Sequence, residues 1–144
     1  MNYTFRKCTY DDLEFIFELK VLCLKYIIEK VYGWDDKDQK EKTKRELDRM
    51  INDMRIIMVD GKDVGVTTFI KHNDYYNLGL TMIHPRYQGK GIGGDIINTY
   101  IKETKKYNKE IVLKVFKDNK AQELYKRLGF KTYEDDENYL YMKL

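Results

Sequence analysis

Residues 86–94, Arg-Tyr-Gln-Gly-Lys-Gly-Ile-Gly-Gly, are of the types that bind phosphate through the backbone. Glycines at 89, 91, 93 and 94 let the chain approach a ligand closely and adopt conformations closed to other residues. The N–H groups that open the next helix have no internal partners. With the helix dipole they form an anion site, reinforced by the charges of Arg86 and Lys90. The segment alone leaves the ligand open. Gly89, Gly91 and Gly94 satisfy G-x-G-x-x-G, the dinucleotide fingerprint, which expects an acidic residue about 20 positions on, at the end of a second strand. Glu110 is near that spacing but reads as falling before its strand. A P-loop is excluded, because no Gly-Lys-Ser/Thr follows. The plainest reading is an ordinary glycine turn at a helix start.

A second segment, residues 118–130, reads Asp-Asn-Lys-Ala-Gln-Glu-Leu-Tyr-Lys-Arg-Leu-Gly-Phe. Asn119 can cap a helix, and Ala121, Leu124, Tyr125 and Leu128 share one face at helical spacing. Gly129 then ends the helix and Phe130 enters a strand. Taken alone, Tyr125 is a packing tyrosine.

The elements that must position these segments follow from periodicity. Residues 3–8 read as a strand. Asp11-Asp12 start a helix, with Leu13, Ile16, Phe17, Val21, Leu24, Ile27 and Ile28 as its stripe, that Gly33 breaks. A second helix is expected from about Asp38 to Met54. Strands at 55–59 and 64–71 flank the hairpin signal Asp60-Gly61-Lys62-Asp63. Residues 75–83 form a strand, 92–106 a helix, 111–116 a strand and 119–128 a helix, before a closing pair at 130–133 and 139–143. The order is β-α-α-β-β-β-α-β-α-β-β: an α/β (α+β) chain with a mixed, mostly antiparallel sheet of six to seven strands and about four helices.

At 144 residues the chain suits one domain, 1–144, large enough for a core without disulfides or a structural metal. Its hydrophobic content of 42% and charged content of 35% are those of a globular protein. No apolar run reaches the roughly 18–20 residues of a membrane span. The N-terminus lacks signal-peptide features, so a cytoplasmic, non-membrane protein is expected. Cys8 and Cys23 read as free thiols, and His72 and His84 show no metal-ligand spacing, so no metal is expected. Net charge is +3, but residues 86–131 carry 12 basic and 5 acidic side chains, while the flanking stretches are neutral to acidic. That suits a polyphosphate ligand. The modest overall charge and the lack of a nucleic-acid motif argue against nucleic acid.

Gln88-x-x-Gly91-x-Gly93 resembles the Q/R-x-x-G-x-G/A signature of the GNAT superfamily of acetyltransferases. Residues 119–130 are similar to its N-x-x-A-x-x-L-Y-x-x-x-G-F segment, in register from Ala121 to Phe130, with Asn119 one residue nearer the alanine than the pattern has it. The resemblance is specific over about residues 76–130 and extends across the chain by element order. It implies a GNAT fold with acetyl-CoA as co-substrate. In that family the turn holds the coenzyme A pyrophosphate, here Gln88, Gly89, Lys90, Gly91, Ile92, Gly93 and Gly94. It implies contact between Asn119 and coenzyme A, and places Tyr125 near the thioester sulfur as the acid for the leaving thiolate. The strand before the turn is bulged in the family and pairs with the pantetheine arm, which points to Leu80, Met82 and Ile83, with a backbone N–H near Met82 polarising the thioester carbonyl.

The expected reaction is direct acetyl transfer to a primary amine, a small-molecule amine favoured over a protein N-terminus or lysine. The alternative is a non-catalytic acyl-CoA-binding regulatory module. The sequence supplies no carboxylate on residues 75–80. Deprotonation is therefore expected through ordered water held by Asn77, or from the N-terminal helices. Tyr26, Trp34 and Gln39 lie in the helical region that walls the acceptor pocket in this superfamily. Their plainer role is packing around a solvated turn. The acidic run Glu134–Glu137 reads as a solubilising hairpin turn, and a monomer or homodimer is expected.

Overall fold

The computed structural model describes residues 2–144. The elements are β1 (Thr4–Lys7), α1 (Leu13–Tyr32), α2 (Asp36–Met50), β2 (Met54–Val59), β3 (Lys62–Lys71), β4 (Tyr75–Ile83), α3 (Ile92–Lys106), β5 (Glu110–Phe116), α4 (Ala121–Arg127), β6 (Lys131–Asp135) and β7 (Tyr139–Lys143). The seven strands form one mixed sheet in the order β1-β2-β3-β4-β5-β7-β6. The β4–β5 ladder is parallel, and the β1–β2, β2–β3, β5–β7 and β6–β7 ladders are antiparallel. The chain divides into two compact units, one running up to Thr68 and taking in Leu80–Ile92, the other comprising Phe69–Gly79 and Gly93–Leu144.

In the first unit, α1 ends where Gly33 takes a φ of 79° and its N–H bonds to Glu29 O. Asp35 starts α2 by accepting from the Asp38 N–H at 2.9 Å, so the helix opens at Asp36, earlier than Asp38. It also ends earlier, at Met50, and a single 3₁₀ turn at Ile51–Asp53 follows. Met54 is the first residue of β2, not the last of the helix. Its side chain joins the core of Ile16, Leu19, Leu47, Ile56 and Val66, which a strand position serves as well as a helical one. The hairpin turn is the two residues Asp60 and Gly61, both at positive φ (51° and 76°). That is the conformation an Asp-Gly pair accepts readily, so β3 starts at Lys62 rather than Val64. At the other end of the core, Arg6 clamps Asp12 (2.6 Å) and Asp63 (2.8 Å).

The second unit packs α3 through Tyr100, whose ring stacks on Phe69 at 4.0 Å, while Phe69 stacks on Tyr76 at 5.0 Å. β5 opens at Glu110, so Glu110 is the strand's first residue rather than the residue before it. It remains unlike the ribose-binding acid of a dinucleotide site, which closes its strand. The closing strand starts at Lys131, one residue after Phe130. The β6–β7 turn is organised by Asp136, which accepts from the N–H groups of Asn138 and Tyr139 and from the Tyr141 hydroxyl.

Candidate functional site

Of the predicted site residues, Tyr26, Trp34, Gln39, Leu80, Met82, Ile83 and Gln88 through Ile92 belong to the first unit. Asn77, Gly93, Gly94, Asn119 and Tyr125 belong to the second.

The phosphate turn is built from a strand end, one 3₁₀ turn and a helix start. β4 stops before His84-Pro85, and Pro85–Tyr87 forms the 3₁₀ turn. His84 serves this turn, its Nδ1 accepting from the Arg86 N–H at 3.1 Å. Gly89 and Gly91 then take φ values of 74° and 86°. A Cβ built on either would meet nothing within 4 Å, so the backbone is exposed to whatever approaches it. Lys90 between them is exposed, whereas Ile92 is buried and anchors the start of α3. Two glycines in left-handed conformation, an open flank and the first N–H groups of a 15-residue helix are together the fit expected for a pyrophosphate.

The strand leading to this turn is bulged. The His72 N–H bonds to Tyr75 O at one end of the β3–β4 hairpin, and the His84 N–H bonds to Val64 O at the other. β3 covers that interval in eight residue steps and β4 in nine. One surplus residue in β4 is a β-bulge. The β4–β5 ladder runs only from Tyr75↔Glu110 to Leu78↔Leu113, so Gly79 through Ile83 lie outside it.

The ladder past the bulge decides which backbone groups of β4 turn toward β3. A Cβ built on Gly65 would stand 2.5 Å from Met82 O, so that carbonyl is turned toward β3. In a strand, one residue's N–H and C=O point to the same side, and the side alternates along the chain. The Met82 N–H is thereby also directed at β3, while Thr81 and Ile83 present theirs the other way. Ile83 bears this out, since its carbonyl accepts from Gln88 Nε2 at 2.7 Å and from Cys23 Sγ at 3.4 Å, outside the β3 ladder. Gly65, which the sequence reading did not single out, leaves the room that Met82 O occupies. A lone glycine inside a strand was the available signal. Thr81 belongs to the strand end expected to meet the pantetheine arm. Its hydroxyl lies 3.1 Å from that of Thr67.

In the second unit the first turn of α3 faces α4. A Cβ on Gly94, in the first turn of α3, would sit 3.5 Å from Leu124 Cδ1 in α4. Asn119 stands one residue before Lys120, the N-cap of α4, and its Oδ1 accepts from the Ala121 N–H at 2.9 Å. The helix itself is shorter than 119–128, running from Ala121 to Arg127. Its end is a Schellman motif, in which the Phe130 N–H bonds to Tyr125 O and the Gly129 N–H to Lys126 O, with Gly129 at φ 103°. The Tyr125 ring packs edge-on against Phe130. Tyr125 is buried, and burial pushes its phenol up to about 12. It is therefore fully protonated in the physiological range and can donate a hydrogen bond but not serve as a phenolate base.

Asn77 is half-buried in β4. It pairs with Val112 in β5, which places it on the sheet face that also carries Lys114 and Tyr141. Asp136 is the carboxylate bonded to that Tyr141. The hydroxyl, followed by the N–H groups of Tyr139 and Asn138, holds Asp136 below the usual carboxylate range, which makes it a poor proton acceptor.

The three acceptor-side residues of the first unit differ in role. Trp34 is locked in place. Its ring stacks on Phe17 at 6.2 Å, Lys25 Nζ lies 5.5 Å over it, and its Nε1–H donates to Asp36 at 2.6 Å. Tyr26 is exposed on α1. Gln39 Oε1 is buried without a hydrogen-bond partner. Among the described residues no cluster of three or more His, Cys, Asp or Glu is arranged to hold a metal, and no helix is long and apolar enough to cross a membrane.

A family model described as an acetyltransferase (GNAT) domain matches residues 26–139. The chain is 32% identical over 150 residues to an uncharacterized N-acetyltransferase of Methanocaldococcus jannaschii, covering 98% of this chain and 66% of that protein. It thus spans about two thirds of that relative's length. The fold is similar to the PaiA N-acetyltransferase of Thermoplasma acidophilum, solved in complex with coenzyme A (TM-score 0.71, 20% identity, 99% and 98% of the two chains). It is also similar to a protein of Pyrococcus horikoshii (TM-score 0.77, 20% identity, 99% and 97%) and to Ard1 of Thermoplasma volcanium (TM-score 0.72, 18% identity, 100% and 97%).

Proposed function

The chain belongs to the GNAT family of acetyl-CoA-dependent N-acetyltransferases, and we propose that it acts as a single domain that moves an acetyl group from acetyl-CoA directly to the primary amine of a small molecule in the cytoplasm. The turn at residues 88–94 carries this reading, because its two left-handed glycines leave the backbone open on one flank ahead of a helix N-terminus. The backbone of Gln88 through Gly94 receives the pyrophosphate, and Asn119 adds a contact to coenzyme A from the start of α4.

The thioester lies along Leu80–Ile83. Polarising its carbonyl takes a backbone N–H that the β3 ladder does not use. Met82 fails that requirement and Thr81 meets it, so Thr81 receives the role first given to Met82. Met82 anchors the strand from the core instead. Ile83, the next residue turned outward, is left for the pantetheine arm.

Tyr125 assists departure of the thiolate. A phenol near 12 is a weaker acid than a thiol of about 8.5 by some three to four units, so full proton transfer is uphill by about 5 kcal/mol. A hydrogen bond to the developing thiolate needs no such transfer and is stronger for being charge-assisted. The amine, with a pKa of ~10.4 if lysine-like, must lose a proton before attack. Ordered water held by Asn77 relays it to bulk solvent. Tyr26 and Gln39 contact the acceptor, and Trp34 fixes the corner between α1 and α2 that carries them.

The test is a panel of small amines, N-terminal peptides and lysine peptides incubated with acetyl-CoA while free thiol is followed. Thiol release that depends on a small amine supports the proposal. Release only with peptides would overturn the acceptor class. Tight acetyl-CoA binding without any acceptor-dependent release would leave a regulatory acyl-CoA-binding module.

A further inference from the structure

Gln88 opens the family signature, yet its side chain is turned back onto the protein. The amide nitrogen donates to the carbonyl of Ile83, five residues earlier, at 2.7 Å. Its remaining hydrogen faces Cys23 Sγ at 3.8 Å, and that thiol in turn lies 3.4 Å from the same carbonyl. Three segments meet at one acceptor atom: α1 through Cys23, the end of β4 through Ile83, and the turn through Gln88. The carbonyl has two lone pairs, and the amide and the thiol take one each. The thiol is by far the weaker donor of the two.

We infer that Gln88 is a positioning residue that acts on the pantetheine end of the donor through Ile83, and that its side chain does not serve the pyrophosphate. This rests on the reading that Ile83 meets the pantetheine arm. The amide bond fixes the direction of the Ile83 carbonyl, which with the Ile83 N–H is what the arm would pair with. The same bond sets where the turn leaves the strand. When the arm arrives, its amide replaces the weak thiol on the second lone pair while Gln88 keeps the first. Cys23 therefore holds the carbonyl in place until the donor binds.

Two ligands separate this role from a phosphate contact. Acetyl-CoA carries both the arm and the pyrophosphate, whereas adenosine 3′-phosphate 5′-diphosphate carries the pyrophosphate without the arm. For Gln88→Ala we expect kcat/KM for acetyl-CoA to fall about tenfold, equivalent to ~1.4 kcal/mol, while the inhibition constant of the armless nucleotide stays within about twofold. Gln88→Arg, which keeps an N–H donor on a longer arm, should recover most of the loss. Gln88→Glu, which sets an acceptor against the carbonyl, should not. Cys23→Ala should reduce kcat/KM about two- to threefold and Cys23→Ser should leave it near wild type, a comparison that holds even if Gln88→Ala folds poorly. An inhibition constant that rises in step with the loss of kcat/KM would overturn the assignment and return Gln88 to the pyrophosphate. So would Gln88→Arg remaining as poor as Gln88→Ala. Failure of the wild type to release thiol with any acceptor would instead remove the acetyltransferase activity, and this role with it.

Discussion

Gly94 faces Leu124: a side chain beginning at Gly94 would meet the Leu124 methyl at 3.5 Å. That distance is ordinary van der Waals contact, so a single methyl fits and a larger group does not. Gly94→Ala in the first turn of α3 should raise stability by about 0.5–1 kcal/mol through the lower conformational freedom of alanine in the unfolded chain. Gly94→Leu should push α4 aside and lower stability by roughly 1–3 kcal/mol. Urea unfolding of the two variants checks both signs, and equal effects would show that the two helices do not constrain each other.

Gly91 reverses that logic. Nothing stands within 4 Å of a Cβ built there, yet its φ of 86° is strained for any other residue. Gly91→Ala should cost about 1–2 kcal/mol of stability. Gly91→Val should also abolish measurable acetyl-CoA binding by calorimetry, because its branches occupy the open flank. Retained affinity in the valine variant would rule out the pyrophosphate assignment.

Tyr125→Phe removes a hydrogen bond that the reaction gains only as the thiolate develops. We expect kcat to fall about 10- to 100-fold with little change in KM. Burial raises the phenol to about 12, above the ~10 of the unfolded chain, so the proton is held more tightly in the folded state. The contribution of Tyr125 to stability is thus fully present below pH ~10 and declines as pH rises toward 12. Steady-state rates from pH 7 to 10 should show no ionisation assignable to this residue. An alkaline limb that disappears in Tyr125→Phe would contradict the burial.

Lys20 and Glu46 form an ion pair at 2.9 Å with side-chain exposures of 4% and 17%. Burial lowers the lysine from its ordinary value, and the carboxylate of Glu46 only partly opposes that. Glu46→Ala strands the buried cation and should cost about 3–5 kcal/mol, whereas Lys20→Met with Glu46→Leu should stay within about 1–2 kcal/mol of wild type. Thermal unfolding of the three proteins decides the matter. Equal losses would mean that the pair stabilises rather than merely neutralises.

Asp12 gives a test on the acid side. Burial alone would raise it, but the Arg6 guanidinium and the Thr9 N–H, which donate to its carboxylate, leave it below the usual range. Its stabilisation is present above the ordinary Asp value of ~3.9 and is lost as pH falls through the depressed one. Asp12→Asn should therefore cost roughly 1–3 kcal/mol at pH 7 and progressively less below pH ~4. A gap that stays constant down to pH 2 would assign the effect to packing.

The fold could be read from the sequence almost element by element, because turn and stop signals at Asp60-Gly61, Pro85 and Gly129 separate the periodic stretches cleanly. The donor turn was legible for a related reason. Its glycines are required by backbone conformation, and that requirement is local. Met82 shows where such reading stops. Whether its N–H turns inward or outward depends on pairing with β3 that the sequence does not display. Met54 misled because an apolar residue at the seam of helix and strand satisfies both periods. The clasp of Gln88 and Cys23 on Ile83 joins residues 65 positions apart, and no local spacing encodes it.

The surplus residue in β4 makes the strand behave like a zipper with one extra tooth. Removing one residue of β4 would let the two strands close eight steps against eight, with His84 still opposite Val64 and the Ile83 carbonyl still facing Gln88. Only the local bend that the extra tooth holds in the strand would be lost. The length of β4 therefore sets how far the strand departs from its neighbour, not the direction of the groups beyond the departure.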